Sequence, residues 1–116
     1  DMNYTVILTE EAAQELEGIY HYIAHELLAP ETARKQVARI FSEVRTLETL
    51  PDRYKLYEDE PFRSMGIRSF PVGNYLVFYK VDNENRRVYV MRIMYGGRNI
   101  RQQLQEHKTK PHNSDV

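Results

Sequence analysis

The chain has 116 residues, of which 41% are hydrophobic and 28% charged, enough for one domain with a single core. It contains no cysteine, which excludes a disulfide framework and a thiolate zinc site. No stretch approaches the about 20 consecutive apolar residues of a membrane span. The opening DMNYTVILTEEA lacks the basic and apolar regions of a secretory signal. We therefore expect a cytoplasmic protein without a membrane partner.

The net charge of −1 conceals an asymmetry between the two halves of the chain. Residues 1–62 hold 13 acidic and 6 basic side chains, whereas residues 63–101 hold 8 basic and 2 acidic ones, which gives balances of −7 and +6. An excess of basic side chains in one half favours an anionic partner for that half. Neutralisation of a basic sheet by acidic helices of the same domain would explain the distribution equally well.

The first half of the chain predicts a strand followed by two helices. The segment YTVILT (4–9) is short and rich in β-branched residues, as a strand would be. Thr9 is placed to cap the next helix, because Glu10 and Glu11 fall in its first turn. Apolar residues then recur at helical spacing in two runs separated by Pro30, which predicts an antiparallel helix pair. The runs are Ala12, Leu16, Ile19, Ile23 and Leu27, then Ala33, Val37, Ile40, Val44 and Leu47.

The second half predicts a loop and three strands. Residues 51–64 contain two prolines and mixed charges, which favours an ordered loop with room for a short edge strand. Strands are predicted at about 65–71, 74–81 and 87–95, and the two turns between them make an antiparallel meander. The fold class is therefore α+β: an N-terminal strand, a helix hairpin and a meander, in one twisted sheet covered by helices on one face.

The domain is expected to span residues 1–104. Residues 105–116 are polar and interrupted by proline, so we expect a disordered tail. With helices on one face of the sheet, the other face should be open to solvent or to a partner.

Arg92 interrupts the most apolar strand, VYVMRIMY (88–95). Strict alternation of side chains predicts that Arg92 projects from the open face, where Arg68 of a neighbouring strand can reach the same side. The alternative is that Arg92 pairs with a carboxylate of the acidic helices, because an unpaired buried charge costs roughly 3–5 kcal/mol. The residues of this strand that alternation places under the helices are Tyr89, Met91 and Ile93.

His21 and His25 stand at i, i+4 on the first helix, a spacing that can bind zinc. The segment HYIAH (21–25) has no third ligand nearby and no glutamate beside the first histidine, so we expect two solvent-facing histidines. The sequence also lacks a glycine-rich phosphate loop and a nucleophile elbow. We therefore expect neither a metal nor a cofactor.

The segments GIRSFPVGNYLVFYKVD (66–82) and VYVMRIMYGGRNI (88–100) resemble the C-terminal half of the RelE/ParE toxins. The shared features are an arginine-bearing strand, a Gly-x-Tyr element that opens a strand, and an RI pair two residues before GGR. The N-terminal IYHYIAHELL (19–28) also fits, so the resemblance runs from about residue 4 to 101. It implies the toxin of a bacterial type II toxin–antitoxin pair, a helix hairpin on a mainly antiparallel sheet, and a cognate antitoxin as partner.

The resemblance implies one of two activities. RelE-like members enter the ribosome and cut mRNA, whereas ParE-like members inhibit DNA gyrase. Cleavage without a metal uses the 2′-hydroxyl as nucleophile, so cations and acid–base groups must stabilise a dianionic phosphorane. This chain departs from the RelE-like pattern where basic residues are common, and its strand sequences are closer to the ParE-like branch. The departures are Ile67, Ser69, Leu76 and Tyr95.

We therefore predict inhibition of DNA gyrase by protein–protein contact, without catalysis. The alternatives are a ribosome-dependent mRNA endoribonuclease and a degenerate toxin that only binds its antitoxin. The antitoxin is expected to place acidic residues over the basic face and apolar anchors along the helices or a sheet edge. The predicted partner-binding residues are Arg68, Lys80, Arg92, Tyr95 and Arg98, and a nuclease would use Arg68, Arg92, Tyr95 and Arg98.

Overall fold

The computed structural model describes residues 3–97, 100 and 102–103. Arg98 and the predicted tail at 105–116 lie outside the described residues. The predicted β-α-α-β-β-β order is confirmed, with strand bounds within two residues of those expected from the sequence. The elements are β1 (Thr5–Leu8), α1 (Glu10–His21), α2 (Pro30–Arg45), β2 (Ile67–Val72), β3 (Tyr75–Asp82) and β4 (Arg87–Tyr95).

The four strands form one sheet in the order β1-β4-β3-β2. The β2, β3 and β4 strands make the predicted antiparallel meander, and β1 lies parallel to β4. The pairing of β1 with β4 ends at Leu8 and Val90. Residues 91–95 of β4 therefore extend beyond the end of β1 along that edge of the sheet.

Thr9 joins β1 to α1 and caps the helix as predicted. Its Oγ1 accepts a hydrogen bond from the backbone N–H of Ala12 at 3.1 Å. The same hydroxyl lies 3.0 Å from the carbonyl oxygen of Val90, to which it donates. One side chain thus fixes the start of α1 against β4.

The tip of the helix hairpin departs from simple helical spacing. A π-helical turn, Tyr22–Glu26, follows α1 and adds about one residue per turn. Ile23 and Ala24 are therefore buried against α2, while Leu27, predicted on the same apolar face, is 56% exposed. Leu28 then reverses the chain with a left-handed φ of 53° and is 81% exposed.

Both faces of the sheet are covered, so the expectation of an open second face is wrong for this part of the chain. The helices cover one face through Leu16, Ile40 and Val44. The loop between α2 and β2 folds over the other face and brings Phe62 onto Phe78, with ring centroids 5.1 Å apart. The second core contains Phe62, Ile67, Phe78 and Met94, with Tyr57, Leu76, Met91 and Ile100 packed against it.

The same loop supplies the short edge strand that the sequence allowed for. Leu56 forms an isolated antiparallel bridge with Arg68, and the N–H of Tyr57 donates to the carbonyl of Ile67 at 2.8 Å. The outer edge of β2 is therefore partly paired.

A β-bulge changes which residues of β4 face the helices. The register shifts between Phe78, which pairs with Arg92, and Tyr79, which pairs with Val90. Met91 is thus the extra residue, and alternation restarts after it. The prediction for the helix-facing side is correct for Ile93 and wrong for Tyr89 and Met91. The helix-facing residues of β4 are Val88, Val90 and Ile93.

Within the described part of the chain, no helix combines the length and the apolar character needed to cross a bilayer.

Candidate functional site

A cavity of about 790 Å³, here called the groove, opens between the hairpin and the ends of β3 and β4. Its rim carries exposed apolar side chains, among them Tyr22 at 54% and Tyr95 at 44% exposure. Pockets of this size, mostly apolar with a few polar groups, are typical of binding sites. Its apolar wall includes Ile19, Tyr22, Ile23, Leu27, Ile93 and Met94.

Gln36 of α2 contributes a polar group to the groove wall. Its Nε2 is buried and has no hydrogen-bond partner within the described part of the chain. Gly73 permits this close approach of α2 to the β2–β3 turn, because a Cβ there would lie 3.4 Å from Gln36 Nε2. A buried amide donor without a partner is rare in folded proteins, and it can serve an acceptor that enters the groove.

Arg92 does not project from an open face, and that prediction is wrong. The residue is only 7% exposed, and its Nε and Nη2 donate to Glu15 Oε2 at 2.8 and 2.6 Å. Glu11 Oε1, one helical turn earlier, lies 3.9 Å from Arg92 Nε. The alternative that the sequence left open, a pair with carboxylates of the acidic helix, is the arrangement found.

The carboxylate of Glu15 also replaces the missing strand partner of β4. Its Oε1 accepts a hydrogen bond from the backbone N–H of Ile93 at 2.7 Å. Ile93 lies past the last residue of β4 that pairs with β1, where this N–H would otherwise be unpaired. Arg92 and Ile93 thus direct three N–H groups at one carboxylate of α1.

Arg68 and Arg92 lie on strands that β3 separates, and they contact different parts of the chain. Its Nη1 donates to the carbonyl of Tyr54 at 2.6 Å, in the loop that borders β2. Arg68 pairs with Tyr79 in the sheet, and by alternation it shares the helix-covered face with Phe70. The expected convergence of Arg68 and Arg92 on one open face is therefore wrong.

Tyr79, beside Arg68, is a structural group. Its side chain is fully buried, and its hydroxyl donates to the carbonyl of Pro51 at 2.6 Å. Burial raises the pKa of Tyr79 to about 12, which outweighs the opposing effect of the nearby Arg68. The phenol therefore stays protonated at neutral pH and anchors the loop after α2.

Lys80 and Tyr95 are the exposed members of the predicted set within the described residues. Tyr95 pairs with Tyr75 at the end of the sheet, five residues along β3 from Lys80. Five strand residues span roughly 17 Å, so Lys80 and Tyr95 do not converge on one small group. The fifth predicted residue, Arg98, lies outside the described residues.

The double glycine after β4 makes room for the Tyr95 ring. A Cβ at Gly97 would lie 2.8 Å from Cε2 of that ring, closer than non-bonded carbons approach. The ring also packs edge-on against Tyr75, with centroids 5.8 Å apart. Burial is the main cause that raises the pKa of Tyr75, so this phenol stays protonated at neutral pH beside the Tyr95 ring.

Glu15 and Gln36 are the site residues that the sequence prediction missed. A signal for Glu15 existed, since Glu11 and Glu15 share one helix face at i, i+4 spacing. No such signal existed for Gln36, whose surroundings depend on the turn at Gly73.

The two histidines of the first helix are exposed, and the rings of His21 and His25 are stacked with centroids 5.3 Å apart. No group of three or more potential metal ligands occurs among the residues described.

The fold is similar to that of chains in several solved toxin–antitoxin structures. A chain of the chromosomal ParDE system from P. aeruginosa has a TM-score of 0.65 and 24% identity, over 82% of this chain and 98% of its own. A chain of the RelBE2 toxin–antitoxin complex from Mycobacterium tuberculosis has a TM-score of 0.59 and 23% identity, over 80% of this chain and 98% of its own. A chain of the archaeal RelE–RelB complex from Pyrococcus horikoshii OT3 has a TM-score of 0.57 and 15% identity, over 84% of this chain and 100% of its own.

These identities show the shared fold. The family itself is shown by the sequence, because the model of the ParE toxin of type II toxin–antitoxin systems (parDE) matches residues 6–100. The chain belongs to the ParE toxin family. The prediction of a RelE/ParE toxin closer to the ParE branch is thereby confirmed. No curated protein sequence matches the chain at a significant level.

Proposed function

We propose that this protein inhibits DNA gyrase by protein–protein contact and is neutralised by a cognate antitoxin. One observation carries the choice between gyrase and the ribosome. Two of the four positions where a metal-independent ribonuclease would present cations are apolar and packed, since Ile67 is fully buried and Leu76 packs against the second core.

The guanidinium groups near this region are also engaged by the protein itself. Arg92 is neutralised by Glu15, and Arg68 donates to a backbone carbonyl. A phosphorane with two negative charges needs cations free to approach it. This arrangement supports an inhibitor over a nuclease among the residues that the structure describes.

The groove supports a protein partner. Tyr22, Leu27 and Leu28 at the hairpin tip are more than half exposed, and Tyr95 stands across the opening. Exposed apolar and aromatic side chains grouped at a concave site are typical of protein interfaces. Tyr95 is therefore the predicted partner-binding residue that this proposal places at the target contact.

The basic C-terminal half of the chain supports the second part of the proposal, binding by an antitoxin. The solved relatives include ParDE and RelBE assemblies, and this chain keeps a basic C-terminal half. An acidic, partly disordered segment would add electrostatic attraction to apolar anchoring. Lys80 and Arg87 are exposed and would contribute to such attraction.

A supercoiling assay with purified gyrase tests the target. The protein should reduce supercoiling, and brief expression should cause DNA breaks and filamentation while translation initially continues. Leu27→Ala should weaken this inhibition, whereas Leu50→Ala, which removes a 73% exposed leucine, should not.

Two results would contradict the proposal. Intact supercoiling together with cleavage of ribosome-bound mRNA would identify a ribonuclease. Normal growth with neither effect would identify a chain that only binds its antitoxin.

A further inference from the structure

We propose that Arg92 and the backbone N–H of Ile93 form a carboxylate-binding site beside the groove, and that Glu15 is its internal occupant. A protein partner that carries an aspartate or glutamate into the groove would bind there in place of Glu15. This inference concerns binding chemistry and does not depend on gyrase as the target.

The donor geometry is the first support. Glu15 Oε2 accepts two guanidinium N–H groups of Arg92 at 2.8 and 2.6 Å, and Oε1 accepts the N–H of Ile93 at 2.7 Å. All three donors therefore lie around one planar carboxylate, and both of its oxygens are used. Charge-assisted sets of this kind are short and directional.

The sheet fixes the backbone of both donor residues. Ile93 lies in β4, and its neighbour Arg92 follows the bulge opposite Phe78. The guanidinium of Arg92 has a second carboxylate nearby, because Glu11 Oε1 lies 3.9 Å from its Nε. Because β1 ends at Leu8, no strand pairs with the N–H of Ile93, and a side-chain carboxylate is the acceptor that it finds.

Access is the second support. The Glu15 side chain is 17% exposed and lines the groove together with Ile93, whereas the Arg92 side chain is only 9% exposed. Apolar neighbours on the same wall, Ile19 and Met94, restrict water and strengthen charge-assisted bonds. A ligand in the groove therefore reaches the site from the side where Glu15 now lies.

Glu15 and an incoming carboxylate compete for the same donors, and the effective concentration of each decides which one binds. Glu15 competes as part of the same chain, so a free small carboxylate displaces it poorly. A carboxylate held in a bound partner has the same advantage, because the apolar contacts of the groove position it. We assign a carboxylate as the ligand because the group now held by these donors is one, with Arg92 on one oxygen and the N–H of Ile93 on the other.

Chemical rescue tests the site. Glu15→Ala removes the occupant and should lower the melting temperature, and acetate should raise it again. With about 200 mM acetate in place of chloride at equal ionic strength, the rise should be roughly 3–6 °C. Wild-type protein should shift by less than a third of that amount, and the double variant Glu15→Ala/Arg92→Met should not respond specifically to acetate.

The outcomes separate the alternatives. The proposed site would be contradicted if acetate raised the melting temperature of all three proteins equally, or if it did not raise that of Glu15→Ala. A larger response of Glu15→Ala to inorganic phosphate than to acetate would overturn the assignment of a carboxylate and favour a nucleic acid. If Glu15→Ala does not fold in chloride, recovery of a cooperative melting transition in acetate supports the site, and the absence of any recovery contradicts it. No readout involves gyrase, so failure here leaves the proposed target untouched.

Discussion

Arg92 and Glu15 lie 77 positions apart in the sequence, and their charged atoms meet at 2.6 Å. The contact joins α1 to β4 at the place where the sheet has lost a strand partner. It explains why the most apolar strand of the chain contains an arginine: the guanidinium of Arg92 forms an ion pair between the sheet and α1, and it does not face an open surface.

Loss of this pair should destabilise the domain. Arg92→Ala leaves the carboxylate of Glu15 largely buried without its main partner, and unfolding in urea should show a loss of roughly 3–5 kcal/mol. Arg87→Ala removes an exposed arginine from the same strand and should change stability by about 0.5 kcal/mol or less. If Arg92→Ala were as stable as wild type but no longer toxic, Arg92 would act at a partner surface instead.

Gly18 offers a stabilising change on α1. A Cβ at this helical position would meet no atom within 4 Å, and the backbone is ordinary α-helix. Gly18→Ala should therefore stabilise the protein by about 0.5–1 kcal/mol in thermal or urea unfolding. Ala13→Gly, at another exposed position of α1, should cost a similar amount. A destabilised Gly18→Ala variant would mean that the helix does not pass through this position undistorted.

The Tyr79 hydroxyl should contribute to stability in a pH-dependent way. Tyr79→Phe leaves the carbonyl of Pro51 without its donor and should cost about 1–2 kcal/mol at neutral pH. Because burial raises the pKa of Tyr79 to about 12, the folded protein holds this proton more tightly than the unfolded chain does. Its contribution is complete below pH 10 and falls between pH 10 and 12.

Urea titrations at a series of alkaline pH values measure this effect. The stability difference between wild type and Tyr79→Phe should narrow as pH rises through that interval. Tyr22→Phe, at a half-exposed tyrosine, should show no comparable loss at neutral pH. A constant difference from pH 8 to pH 12 would exclude the raised pKa.

Association with the antitoxin should depend on salt. The described basic side chains that remain exposed, Lys80 and Arg87 among them, attract an acidic partner over distances that salt screens. The association rate measured by stopped flow should fall by about tenfold or more between low and moderate ionic strength. Dissociation should change little, since the apolar contacts of the groove are insensitive to salt. A flat association rate would remove the electrostatic part of the proposed interaction.

Most of the fold was predictable because it follows from local chemistry. The spacing of Leu16, Ile40 and Val44 marks helix faces, Thr9 marks a cap, and Gly73 marks a turn with a left-handed φ of 59°. These signals lie within a few residues of the structure that they specify, so one sequence is enough to identify them.

Two of the errors share one physical cause. At Met91 and in the turn at Tyr22–Glu26, one extra residue enters a regular element and rotates everything after it. No residue type marks either place, since a bulge and a π turn are decided by packing across the sheet and the hairpin. Strict alternation through the bulge therefore cannot place both Tyr89 and Ile93 correctly, and regular helical spacing through the π turn misplaces Leu27. Glu15 was also missed as the partner of Arg92.

These two irregular places lie on opposite walls of the groove. The π turn carries Tyr22 and Ile23 on one side, and the segment after the bulge carries Ile93 and Met94 on the other. Deleting a single residue at either place would restore a regular helix or strand. The side chains that follow would then rotate about the helix axis or move to the other face of the strand, while Val88 and Val90 kept their contacts with the helices. Partner choice in such a domain can thus diverge through one-residue insertions and deletions, and an alignment that forbids gaps inside strands and helices would hide the change.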